Sequence, residues 1–180
     1  ERLFTHQYLD DDPTGTLQDV YDININIADD DGAEIDSATS VLVKNVAPTN
    51  LVIEPIADID ENGTATLNLS FSDPGTEDTH TVQVDWGDGV SETLDVVAGE
   101  RSFSTSHQYV EDGQFTIDVT VLDDDTGSVT GSTTIGVINA APMNLVIDPV
   151  QMITEGDTAL LSLSFDDPGG NDPHTVTVDW

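Results

Sequence analysis

The chain reads as all-β, a tandem series of antiparallel β-sandwiches. Three observations predict this. Apolar and polar residues alternate at period two, turn-forming Gly, Pro, Asn and Asp clusters punctuate the alternation, and long stretches recur about 94 residues apart. Helical periodicity is not evident anywhere.

The repeat sets the organisation. Leu51-Val-Ile-Glu-Pro through Val84-Asp85-Trp86 returns as Leu145-Val-Ile-Asp-Pro through Val178-Asp179-Trp180. The preceding Asn45-Val-Ala-Pro-Thr-Asn50 returns as Asn139-Ala-Ala-Pro-Met-Asn144, and Asp29-Asp30-Asp31 as Asp123-Asp124-Asp125. His6-Gln7-Tyr8 matches His107-Gln108-Tyr109 at a slightly larger offset. In this register residues 1–46 are the C-terminal half of one module, 47–141 a complete module, and 142–180 the N-terminal half of a third. Both ends are therefore expected to fall inside modules of a longer protein.

Within the complete module Ala65, Leu67, Leu69 and Phe71 alternate with polar residues, as do Val82, Val84 and Trp86, and Phe115, Ile117, Val119 and Val121. Period two with one apolar face describes sheets half-buried against a partner layer. Turns are predicted at Glu61-Asn62-Gly63, Asp73-Pro74-Gly75, Gly87-Asp88-Gly89 and Asp125-Thr126-Gly127. About seven short strands per module argue for a sandwich.

Composition narrows the function. There are 36 acidic residues against three basic ones (Arg2, Lys44, Arg101), a formal net charge of −33. Such a surface repels phosphate backbones and anionic headgroups, which sets nucleic acid aside as a partner. The acidity serves solubility in a salty medium, or brings carboxylates together around divalent cations, and the two are compatible. No apolar run reaches the roughly 18 to 20 residues of a spanning helix, so no membrane insertion is expected. Cysteine is absent, which removes disulfides and thiol chemistry and tilts the source towards a bacterium or archaeon.

Catalytic motifs do not survive inspection, and no enzyme activity is expected. Asp125-Thr126-Gly127 matches an aspartic-protease tripeptide, but the first copy has Asp31-Gly32-Ala33 there, and a polar hairpin turn explains both. Asp58-Ile59-Asp60-Glu61-Asn62-Gly63 opens like a calcium loop, yet Leu69 stands where the closing glutamate belongs, and the segment reads as an Asx-rich turn.

Val84-Asp85-Trp86-Gly87-Asp88-Gly89, Phe103 through His107-Gln108-Tyr109, and Gly113-Gln114-Phe115 through Val121 resemble, in order and spacing, the signature of the polycystic-kidney-disease (PKD) domain family. Asp85-Trp86 directly before the glycine departs from the usual W-D-F-G-D-G. The resemblance implies an immunoglobulin-like sandwich. Trp86 is expected to fill the core, Gly87 and Gly89 to supply unusual backbone conformations, and Asp88 to cap their turn. His107 and Tyr109 are expected at the corner between sheets, with the tyrosine hydroxyl bonded back to the backbone.

Alternating strand direction sends successive loops to opposite ends of a module. Asp73, Asp78 and Asp123, Asp124 and Asp125 then share one end, and in a linear array they face Asp10, Asp11 and Asp12 of the preceding copy. Glu111 and Asp112 likewise face Asp166, Asp167 and Asp172. Calcium-binding members of the resembled family imply a Ca²⁺ set of Asn50, Asp73, Glu77 and Asp78, to which the topology adds Asp123, Asp124 and Asp125. The rival reading is a solvated acidic rim.

The function expected is an extracellular or cell-surface structural and adhesive repeat, a semi-rigid rod, surface layer or fibre stiffened by calcium at module junctions. Its partners are neighbouring modules, or other copies associating head to tail. The alternative is a carbohydrate- or protein-binding accessory module of a secreted hydrolase or adhesin.

Overall fold

The computed structural model describes residues 2–11 and 14–180. Among them are twelve strands and no helix. β1 (Gln18–Ala28) and β2 (Glu34–Lys44) form a hairpin in the N-terminal segment. The central sandwich follows, with β3 (Thr49–Ile53), β4 (Ile59–Asp60), β5 (Thr64–Ser72), β6 (His80–Asp85), β7 (Ser91–Val96), β8 (Ser102–Gln108), β9 (Gly113–Asp123) and β10 (Ser128–Ile138). β11 (Met143–Ile147) and β12 (Leu163–Asp166) pair in the C-terminal segment.

One central sheet runs β3-β5-β8 and the other β4-β10-β9-β6-β7. All pairings are antiparallel except the short β4, which lies parallel to β10 through Val137↔Ile59 and Ile138↔Asp60. The alternation read from the sequence places the core. Ala65, Leu67, Leu69 and Phe71 of β5 are buried, as are Val82 and Val84 of β6, Ile117, Val119 and Val121 of β9, and Ile135 and Val137 of β10. Each of these Leu, Val, Ile and Phe side chains contributes about 1.5–3 kcal/mol over leaving it exposed.

Trp86 is 1% exposed and Tyr109 is wholly buried. The Tyr109 hydroxyl donates to the Trp86 carbonyl at 2.8 Å, a staple from the corner back to the end of β6. Burial, with Asp88 nearby, pushes its pKa up to about 12. His107 stacks on Trp86 with ring centroids 5.0 Å apart, and its Nε2 lies 2.6 Å from Asp88 Oδ2. Burial alone would raise the Asp88 carboxyl. The His107 contact and the Val90 N–H outweigh it and hold the group below its ordinary value. Gly87 has φ +80°, and a Cβ there would strike the Thr116 carbonyl, so both conformation and space require glycine.

Aromatics on the inward positions of the flanking segments do not all become core. Phe4 is 86% and Trp180 80% exposed; Trp180 matches the buried Trp86, and the layer that covers Trp86 has no equivalent against it. Residues 2–8 and 174–180 match β8 and β6 in sequence, yet neither forms a strand. β8 pairs with β5, and β6 lies between β7 and β9. The flanking stretches lack those neighbours, and a strand needs a partner for its ladder bonds.

Candidate metal centre

The loop between β5 and β6 builds one end of the central sandwich. Asp73 accepts the Gly75 N–H at 2.9 Å on one oxygen, and its other oxygen lies 3.0 Å from His80 Nε2. This Asx turn folds the loop back so that Asp78, 2% exposed, packs its carboxyl against Gly75. The hairpin between β9 and β10 supplies Asp123 and Asp125, 7% and 4% exposed. Asp123 accepts the Gly127 N–H, and Thr126 takes φ +75° to close the turn.

Two carboxylate groups converge here. Asp73, Asp78 and Asp123 each bring an oxygen within 4.8 Å of the others, and so do Asp10, Asp78 and Asp125. Asp78 belongs to both. The second group crosses from the N-terminal segment to the central sandwich, and hydrogen bonds without a cationic donor hold that approach. Thr76 N–H donates to Leu9 C=O at 3.0 Å, and Asn45 Nδ2 to Asp123 Oδ2 at 2.8 Å.

The electrostatics are those of crowded, dehydrated carboxylates. Burial, then repulsion from Asp73 and Asp10, pushes the Asp78 pKa up to about 7. Burial, then Asp11 and Asp124, pushes Asp125 up to about 6. Asp11 is raised as well, chiefly by burial. Asp11 Oδ2, Asp78 Oδ1 and Asp125 Oδ1 are buried with no hydrogen-bond partner. Buried charges are normally paired or coordinated to metal, and Asp73, Asp78, Asp123, Asp125 and Asp10 offer only hard oxygens. The cluster therefore has the donors to hold a hard divalent cation.

Not every residue singled out from the sequence joins it. Glu77 and Asp124 are exposed, and Asp124 accepts instead from Thr79 Oγ1 at 3.1 Å. Asn50 is exposed on β3 with φ +51°, and the entry-segment amide that reaches the cluster is Asn45. Asp12 lies outside the described residues. Sequence reasoning passed over His80, which orients Asp73 from a side chain with no exposed surface. The available signal was its recurrence as His174, whose Nε2 lies 2.9 Å from Asp167.

Asp58 takes up the Gly136 N–H rather than forming a calcium loop. Asp166 accepts from Asn144, and Asp167 from Gly169 N–H. Of the residues at the far end, Asp112 and Asp172 come together with Glu61.

Two facing sheets closed over a stapled tryptophan, with the buried carboxylates gathered at the ends, define an immunoglobulin-like β-sandwich protein. The model of the PKD domain matches residues 45–137, and the chain belongs to that family. Among solved structures it is similar to the PKD domain of an M14-like peptidase from a Thermoplasmatales archaeon, with 20% identity over 52% of this chain and 98% of that one, TM-score 0.45. A conjugative transposon lipoprotein from Bacteroides eggerthii is similar at 11% identity, 49% and 96% coverage and TM-score 0.38. The CARDB domain of a Pyrococcus furiosus protein, solved in complex with di-metal ions, is similar at 16% identity, 52% and 92% coverage and TM-score 0.32. No curated protein matches the chain.

Proposed function

We propose that the chain is an extracellular or cell-surface structural repeat of a bacterium or archaeon, a non-catalytic series of PKD modules over 1–46, 47–141 and 142–180. Calcium between the first module and the second makes the series a semi-rigid rod. The observation that carries this reading is the meeting of Asp10 with buried Asp78 and Asp125 across the join, each of the latter two keeping one buried oxygen without a hydrogen-bond partner. Without a cation these charges repel, by about 1 kcal/mol for two at 4 Å in water and more near protein. Ca²⁺ takes six to eight oxygens in flexible geometry and suits such a site better than Mg²⁺. The short linker, with Pro48 buried, restricts swinging.

The rod reading is favoured over a glycan-binding one because Phe71, Trp86 and Tyr109 of the central sandwich are buried, so none of these three offers a platform for a sugar ring. Calcium titration followed by thermal unfolding and small-angle scattering tests it. Calcium at a hundred times its Kd is expected to stabilise the chain by about 2.7 kcal/mol and to lengthen the particle, and chelator to reverse both. Unchanged unfolding and dimensions with calcium and with chelator would overturn the reading.

A second reading concerns partners. Ile23, Ile25 and Ile27 are exposed on the hairpin, and their counterparts Ile117, Val119 and Val121 are core. The C-terminal segment exposes a groove of about 500 Å³ lined by Leu145, Ile147, Leu161, Leu163 and Phe165. These are the two layers that meet in the central sandwich, so copies are proposed to associate head to tail. Light scattering that finds a strict monomer at all concentrations would exclude this.

A further inference from the structure

The end of the central sandwich away from Asp78 carries a second carboxylate group. Glu61 follows β4, Asp112 precedes β9, and Asp172 lies in the loop after β12 of the C-terminal segment. One oxygen of each lies within 4.8 Å of the other two. Two oxygens bound to one calcium at about 2.4 Å each can stand at most about 4.8 Å apart, so these three are close enough to share an ion.

Acidic neighbours are commonplace in a chain of this charge, and Glu61 is what sets this group apart. It is 3% exposed. Its Oε1 accepts the Ala140 N–H at 2.6 Å, while Oε2 is buried with no partner. The direction of Oε2 follows from Gly169. A Cβ added there would lie 2.7 Å from Glu61 Oε2 and 2.6 Å from Asp172 Oδ2. Gly169 is not among the glycines with positive φ, so space rather than backbone conformation calls for glycine. The two oxygens flank a hollow that a side chain would fill.

Protein cations do not supply the missing charge. Arg101 is bonded to the Gly75 carbonyl at the other end, and Lys44 lines the cleft beside Asp10 and Asp78. No ion pair among the described residues involves Glu61, Asp112 or Asp172. Asn171 donates to Glu111 and brings the C-terminal loop onto this end without neutralising it.

We propose that Glu61, Asp112 and Asp172 form a second calcium site, which locks the C-terminal segment and its linker onto the central sandwich. The ion sits on Oε2 of Glu61 while Oε1 holds Ala140 of the linker, so one side chain ties three parts together. The site rests on the calcium reading of the proposed function, extends it to the second join with ligands of its own, and shares none with the Asp78 cluster.

Calorimetric titration of the whole chain with calcium alone, joined to hydrogen exchange at Ala140, tests it. Asp172→Asn and Gly169→Ala are each expected to remove one bound calcium and the calcium-dependent protection of the Ala140 amide. Asp78→Asn is expected to leave that ion and that protection in place. Asp172 and Gly169 lie outside the central core, so both variants keep the sandwich intact. Calcium lost completely on Asp78→Asn, with Asp172→Asn silent, would overturn this site and leave the proposed function standing. No calcium bound by the wild-type chain would overturn both.

Discussion

Phe71 and Phe165 stand at the same place in two copies of one repeat, and each packs against a histidine, with ring centroids 4.7 and 4.8 Å apart. Those histidines, His80 and His174, reach Asp73 and Asp167 at 3.0 and 2.9 Å. Gly75 and Gly169 donate to the same aspartates at 2.9 Å. The loop is thus built alike in the central sandwich and the C-terminal segment. Beyond it the two part company. His80–Asp85 is a strand between two others, and residues 174–180 are not a strand at all. Asx turns and short-range side-chain contacts close over a few residues and need nothing else. A strand and its buried face need a partner from elsewhere in the chain.

The largest effects should come from paired substitutions at matching positions. Trp86→Ala is expected to cost the central sandwich about 3–5 kcal/mol in urea unfolding. Trp180→Ala should stay within about 0.5 kcal/mol, and equal losses would break the contrast. Ile117→Ala should cost about 2–5 kcal/mol, whereas Ile23→Ala, whose residue is 38% exposed, should cost under about 1 kcal/mol. A high cost at Ile23 would mean that its face is covered in solution.

A finer test is Tyr109→Phe, which leaves the Trp86 carbonyl buried without its donor and should cost about 1–3 kcal/mol with an unchanged denaturant slope. No change would show that the staple is dispensable.

A further effect is expected on pH dependence. The folded Asp78 carboxyl, at about 7, holds its proton more tightly than an ordinary one at 3.8. Its contribution is therefore most favourable below about pH 4 and is lost as pH rises through about 7. In chelator, stability should fall over that window, and Asp78→Asn or added calcium should flatten the fall. A slope indifferent to both would show that Asp78 is already compensated.

Much was legible beforehand because it is periodic or local. The inward faces of β5, β6 and β9 follow from side chains that alternate on a pleat, and the turn at Gly87 from a residue that tolerates positive φ. Trp86 was readable from its place at the end of an alternating run and Tyr109 from the family resemblance, but Trp180 ends a matching run and is exposed, so burial also needs the covering layer. The acidic ends were readable only in outline. Topology named Asp78 and Asp125 together with the exposed Glu77 and Asp124, because neighbours along a loop look alike in sequence while only folding decides which turn inward.

The amino-acid sequence by itself determined the period-two layers, the repeat register, and the turn chemistry that recurs between Asp73 and Asp167. Only the tertiary structure decided that Asn45 rather than Asn50 reaches Asp123, that His80 props Asp73, and that Glu61 meets Asp112 and Asp172. Local conformation obeys nearest neighbours along the chain. A site assembled from three distant loops depends on how sheets twist and segments abut, and no pattern of spacing carries that information.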